Sequence, residues 1–140
     1  MKTPFFLLMA DHLFDTTIIQ EMIKTNSLKD NVILCVDNDT NPSSHVDLDD
    51  VTKVKTENGN IQEIGKDLKN YNGFDTGIFL CTPIIFKALA QAAKSGQTTL
   101  SAAMMLLAQK GKANAFFIKH KFWIDIDKPL ALKQAETVLI

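Results

Sequence analysis

Apolar residues fall along this chain in short unbroken runs, separated by stretches in which they return every three or four positions. That is the alternation expected of buried strands with amphipathic helices. The first run, Phe5 to Met9, lies between Pro4 and the polar Asp11-His12 and is too short for a buried helix. It predicts a central strand covered on both faces, in an open parallel sheet whose substrates bind beyond the carboxyl ends of the strands. Asp15 is placed to cap a helix that keeps Ile18, Ile19, Met22 and Ile23 on one face and ends near Asn26. Val32 to Val36 is a second fully apolar run, so strand, helix and strand form a right-handed parallel unit of an α/β fold. Residues 38–50 turn polar and acidic, with Pro42, Ser43 and Ser44, and predict a loop. Around the tight-turn pair Asn58-Gly59, residues 51–65 predict a β-hairpin. Phe74 to Leu80 is a further strand, whose internal Gly77 marks the close approach of a ligand or another backbone.

Thr82-Pro83 predicts a capped helix start, with Gly96 as the stop after Lys94. A third helix opens at Thr98 or Thr99 and carries Leu100, Ala103, Met104, Leu107 and Ala108 to Gly111, its methionines serving as core filler. Ala115 to Ile118 and Lys121 to Ile126 predict two short strands, and Pro129 to Leu139 a closing helix. No internal repeat or linker interrupts the order.

Composition narrows the class. At 140 residues, 46% hydrophobic and 22% charged, residues 1–140 suffice for one globular domain with a real core. No apolar run has the length of a membrane span and no signal-peptide plan precedes the first strand, so the expected location is the cytoplasm. Cys35 and Cys81 stand apart inside apolar runs, as buried thiols of a reduced compartment, with no zinc spacing. All 15 basic residues are lysine. Nucleic-acid readers lean on arginine forks and a basic face, so no nucleic-acid partner is expected, and phosphate must be held by lysine, backbone amides or metal.

Chemistry concentrates at strand ends. Asp11 follows the first strand, where a carboxylate holds a metal, accepts a substrate hydrogen bond or caps the next helix. Trp123, Asp125 and Asp127 alternate and share a face. Asp127 reads best as the cap of the last helix, which leaves Asp125 as the ligand candidate. The loop offers two further motifs. A calcium loop starting at Asp37 fails, because Pro42 takes the glycine position and Leu48 the final glutamate position. Val36-Asp37-Asn38-Asp39-Thr40 matches the DxDxT signature of haloacid-dehalogenase phosphatases, with Asp37 as nucleophile and Asp39 as acid/base. The distant strand ending in paired carboxylates that such a fold needs is missing, since Asp49-Asp50 follow too soon. This phosphatase is the alternative reading.

Four segments in order carry a broader resemblance: Met9-Ala10-Asp11-His12, Gly59 to Lys66, Phe74-Asp75-Thr76-Gly77-Ile78-Phe79, and Trp123 to Pro129. From residue 4 to the end, the chain resembles the sugar-nucleotidyltransferase superfamily, and within it the CTP:inositol-1-phosphate and related phospho-alcohol cytidylyltransferases. The resemblance implies the C-terminal portion of a Rossmann-like, GT-A type fold, a mixed sheet with flanking helices. It implies Asp11 and Asp125 as the two ligands of Mg²⁺ and Lys66 as a contact to the acceptor phosphate. Asp75, Thr76 and Gly77 would line the acceptor pocket. His12 and Lys53 would be neighbours of the substrate, though a turn histidine and a solvated lysine are the simpler readings there. The implied reaction moves a nucleotidyl group, cytidylyl in the nearest likeness, from NTP to a phosphorylated alcohol or sugar and releases pyrophosphate.

The chain departs from the family in having no Gly-x-Gly stretch with a basic partner, the element that holds the nucleotide triphosphate. Lys128 also stands where Thr is usual before the proline, and Leu130-Ala131 where an acidic pair is usual. The expectation is therefore a truncated domain, inactive as an isolated chain unless another segment completes it. Its exposed sheet edge would drive homo-oligomerisation. A non-catalytic remnant acting as a binding or assembly module is the remaining alternative.

Overall fold

The computed structural model describes residues 3–25, 28–41, 46–126, 132, 133 and 135–137. Its strands are β1 (Phe5–Leu8), β2 (His12–Phe14), β3 (Val32–Asp37), β4 (Lys53–Glu57), β5 (Asn60–Gly65), β6 (Gly73–Cys81), β7 (Ala113–Phe117) and β8 (Trp123–Asp125). The helices are α1 (Thr17–Thr25), α2 (Ile84–Lys94) and α3 (Leu100–Gln109). Six strands form one mixed sheet in the order β1-β6-β3-β7-β5-β4, and β2 pairs with β8 in a separate ribbon.

The unbroken apolar run of β3 is explained by its two buried faces. Val32, Leu34 and Val36 point into a core shared with α2 and α3, whereas Ile33 and Cys35 point into a second core with Ile18 and Met22 of α1. A period of two on two covered faces leaves no position for a polar residue. β3 is antiparallel to β6 and parallel to β7. The full burial of Phe74 and Phe79 on β6 adds roughly 1.5–3 kcal/mol each. The hairpin joins β4 to the start of β6 and the first residue of β5 to the start of β7, spanning the α2/α3 face of the sheet with Val54, Ile61 and Ile64. Its turn is Asn58-Gly59, both at positive φ (54° and 78°), the geometry that the right-handed strand twist requires.

The first strand differs from the expectation. β1 is an edge strand, paired only with β6 among the described residues, not a central one. Its run is apolar because Phe5, Leu7 and Met9 pack on one core and Phe6 on the other, which is face burial without a second neighbour. Leu8 is exposed, and Phe86 of α2, also exposed, stacks on Phe5 at 5.5 Å. β1 and β3 run the same way but with β6 between them, so the predicted unit has an inserted antiparallel strand.

Local chemistry sets the helix ends. Asp15 accepts from both the amide and the hydroxyl of Thr17 at the start of α1; Ile18 and Met22 are buried, whereas Ile23 turns out to solvent. Thr82 does not cap α2. Its hydroxyl donates to the Asn31 carbonyl and ties the start of α2 to the start of β3. Thr99 caps α3 through the Ala102 amide. Gly96 and Gly111, at positive φ, close α2 and α3 with amides returning to the last-turn carbonyls. Cys35, Cys81 and Met104 are buried. Asp127, Pro42 to Ser44, Asn26 and most of the predicted closing helix lie outside the described residues; of that helix, residues 132, 133 and 135–137 are helical.

Candidate functional site

The site is built on a defect in β6. Opposite β3, Asp75 pairs with Val36 and Phe79 with Leu34, so residues 76–78 face Cys35 alone. The surplus backbone bends at Gly77, with φ at +78°. The Thr76 hydroxyl turns inward and donates to the Cys35 carbonyl at 2.7 Å, while the Gly77 amide donates to Asp75 Oδ1 at 2.7 Å. The Thr76 carbonyl is left facing out of the strand, and His12 takes it: Nδ1 lies 2.6 Å from that oxygen.

This contact needs glycine at 77. A Cβ there would collide with His12 Nδ1 and would stand 2.7 Å from its Cε1 and 2.8 Å from Met9 Cγ. The close approach that Gly77 permits is thus the imidazole of His12, not open pocket. Trp123 lies on another side of the ring, 6.0 Å between centroids. The imidazole is held by backbone, glycine and indole together.

The β2–β8 ribbon brings the two ends of the chain to this ring. His12 pairs with Asp125, and the Ile126 amide donates to the Asp11 carbonyl at 2.7 Å. His12 Nε2 then lies 3.7 Å from Asp11 Oδ1 and 3.7 Å from Asp125 Oδ2. The ligand-capable atoms of all three residues fall within 4.8 Å of one another. Exposure runs from 56% at Asp11 through 34% at Asp125 to 12% at His12, so the cluster opens to solvent on one side. A carbonyl oxygen only accepts, so Nδ1 carries a proton and Nε2 is the ring nitrogen that faces both carboxylates. Three electron-rich atoms around one point suit a divalent cation.

Asp75 adds negative charge behind the cluster. Burial pushes its carboxyl up to about 6, against the lowering effects of the Gly77 amide and of nearby His12. The Cys35 and Cys81 thiols are pushed up by burial to about 12 and about 11.

The remaining predicted residues are placed differently. Thr76 is buried, and its hydroxyl is committed to the Cys35 carbonyl. Lys66, just past β5, is exposed and pairs with Asp50 at 3.3 Å, outside the Asp11–His12–Asp125 cluster but at the hairpin end that meets the start of β6. Lys53 is not solvated. Its buried ammonium donates to the carbonyls of Leu48, Val51 and Lys66 at 2.7, 3.3 and 2.8 Å, which ties the loop before β4 to the end of β5. Asp37 is nearly buried; one oxygen accepts from Trp123 Nε1 at 2.8 Å and the other from the Asp39 amide at 2.9 Å. Both oxygens of the candidate phosphatase nucleophile are therefore used in positioning β8 and the turn after β3. Two of these ties, Asp37–Trp123 and Lys53 with its carbonyls, were not foreseen from sequence. The glycine inside β6 was the one local signal of the His12 slot.

A cleft of about 360 Å³ lies at the opposite end of β3 and β7, beside a chain of side-chain amides from Asn31 to Asn114 to Asn60. None of the predicted site residues lines it.

No family model matches the chain. It is 30% identical over 140 residues to a protein of Aquifex aeolicus (strain VF5) named bifunctional IPC transferase and DIPP synthase, an alignment covering 100% of this chain and 30% of that one. A protein of the same name from Thermococcus kodakarensis is 29% identical over 138 residues, covering 97% and 29%. The chain thus spans less than a third of the length of these curated relatives. Among solved structures, the inositol-1-phosphate CTP transferase from T. maritima superposes with a TM-score of 0.82 at 24% identity, covering 97% of this chain and 54% of that one. A UDP-glucose pyrophosphorylase complexed with UDP-glucose superposes with a TM-score of 0.71 at 17% identity, covering 97% and 55%. The fold is that of a nucleotidyltransferase domain in part, a mixed sheet with flanking helices.

Proposed function

For a chain that resembles the sugar nucleotidyltransferases, and within them the CTP:inositol-1-phosphate cytidylyltransferases, we propose a part in transfer of a cytidylyl group from CTP to the phosphate of inositol phosphate or a related phospho-alcohol. An acceptor phosphate oxygen forms a bond to the α-phosphorus. The bond from that phosphorus to the α–β bridging oxygen breaks, and pyrophosphate leaves. The observation that carries this reading is the meeting of Asp11 and Asp125, 114 positions apart, around one point open to solvent.

Two carboxylates that leave most of a coordination sphere to water and phosphate oxygens fit a hard cation such as Mg²⁺. When bound, the ion would neutralise charge on the phosphates. Asp11 and Asp125 would hold it; Lys66, exposed at the surface beside Asp50, would meet the acceptor phosphate, and Asp75, near His12, would lie on the acceptor side. No protein nucleophile is needed, since phosphoryl-type transfer is catalysed by alignment and charge. Lacking a Gly-x-Gly stretch, the 140-residue chain is inactive alone and works with a segment that supplies a triphosphate loop. The edge of β1, paired only with β6 among the described residues and flanked by exposed Leu8 and Phe86, takes an added strand, in a second copy or in that segment.

Replacing the matched region of the Aquifex relative with this chain tests the reading. The chimera should release pyrophosphate from CTP and inositol phosphate in the presence of Mg²⁺, and Asp11→Asn or Asp125→Asn in the grafted part should abolish release. A folded chimera that is inert, or one indifferent to both substitutions, refutes it.

A further inference from the structure

Resting on the reading of Asp11 and Asp125 as cation ligands, we infer that His12 is the third protein ligand, through Nε2, and that its nitrogen turns the site toward Mn²⁺, Co²⁺ or Zn²⁺ relative to Mg²⁺. Two independent observations converge. The hydrogen bond from Nδ1 to the Thr76 carbonyl fixes the proton on the far nitrogen, which is the arrangement that orients and strengthens a metal-binding imidazole. The ring also occupies a slot that exists only because residue 77 lacks a Cβ, so its direction is set by backbone rather than by the carboxylates it faces.

Ligands about 2.1 Å from an octahedral ion stand about 3.0 Å apart when adjacent. Nε2 lies 3.7 Å from Asp11 Oδ1 and from Asp125 Oδ2, so each carboxylate must close on the ring nitrogen by about 0.7 Å as the ion enters, a shift open to the exposed Asp11 and the part-exposed Asp125. Carboxylate and water ligands alone suit Mg²⁺, whereas an imidazole nitrogen favours first-row transition ions over Mg²⁺, Mn²⁺ least and Co²⁺ and Zn²⁺ more.

The probe is Mn²⁺ added to the full 140-residue chain at pH 7.5, followed by calorimetry and by pulsed EPR in frozen solution. Wild type should show ¹⁴N modulation from a directly bound imidazole; His12→Ala should lose it, while His120→Ala and His45→Ala keep it. Mn²⁺ affinity should fall about ten-fold or more in His12→Ala, with Mg²⁺ affinity changed less than about three-fold. Added imidazole, entering the space the side chain leaves, should restore part of the Mn²⁺ affinity. Absence of ¹⁴N modulation in Mn²⁺-loaded wild type, or its survival in His12→Ala, overturns the inference while leaving the carboxylate site standing. Should His12→Ala fail to fold, persistence of the wild-type signal in both His45→Ala and His120→Ala supports the assignment, and its loss in either overturns it. A wild type that binds no Mn²⁺, or binding indifferent to Asp11→Asn and Asp125→Asn, overturns the cation site itself and the role of His12 with it.

Discussion

Gly77→Ala is the sharpest test of how the site is assembled. The substitution adds one methyl group in the bulge of β6. Alanine at φ near +78° carries a backbone penalty of roughly 1–2 kcal/mol. The new Cβ would fall on the His12 ring, so the ring must leave the Thr76 carbonyl and forfeit a hydrogen bond of roughly 0.5–1.5 kcal/mol. Together the loss is about 1.5–3.5 kcal/mol, a fall in Tm of roughly 5–13 °C for a chain of this size. A double-mutant cycle in urea separates the two contributions. In the His12→Ala background no ring remains to be displaced, so Gly77→Ala should cost only the backbone penalty, with the Met9 contact common to both backgrounds and cancelling. The expected coupling is about 1 kcal/mol or more. Equal costs in the two backgrounds would show that Gly77 serves only the local turn and that the glycine–histidine argument is wrong.

Three further expectations follow from groups around the site. Lys53→Met strands three backbone carbonyls that now share one ammonium, and should cost about 2–4 kcal/mol in chemical denaturation; a loss under 0.5 kcal/mol would mean that water replaces the ammonium freely. Because Asp75 is raised to about 6 in the fold, the native state binds its proton more tightly than the unfolded chain does. Its contribution to stability is greatest below about pH 4 and is lost as pH rises to about 6. Asp75→Asn cannot ionise, so its stability relative to wild type should rise by roughly 2 kcal/mol across that window; a difference flat with pH rules out the buried ionisation. The two cysteines, buried and pushed to about 12 and about 11, should react with Ellman's reagent only after denaturation. Stoichiometric labelling of the native chain within minutes would contradict their placement.

The sequence by itself determined the elements and the chemistry on offer. An unbroken apolar run marked β3, an apolar run interrupted at Asp75-Thr76-Gly77 marked β6, three-to-four spacing and cap residues marked the helices, Asn58-Gly59 marked the hairpin, and Asp11 and Asp125 stood out because carboxylates close apolar strands at both ends of the chain. Each of these signals is local, written in the period of a single element or the conformational needs of a single residue. Only the tertiary structure decided which strand is central, because an apolar run reports two covered faces and says nothing of how many neighbours it pairs with. Only there, too, did Thr82 prove to tie α2 to β3, and Asp37 to brace Trp123. The imidazole of His12 meets both carboxylates only after an antiparallel ribbon joins residues 12–14 to 123–125 and a two-residue excess in β6 turns one carbonyl outward. Register and bulge are properties of paired strands, and no single segment carries them.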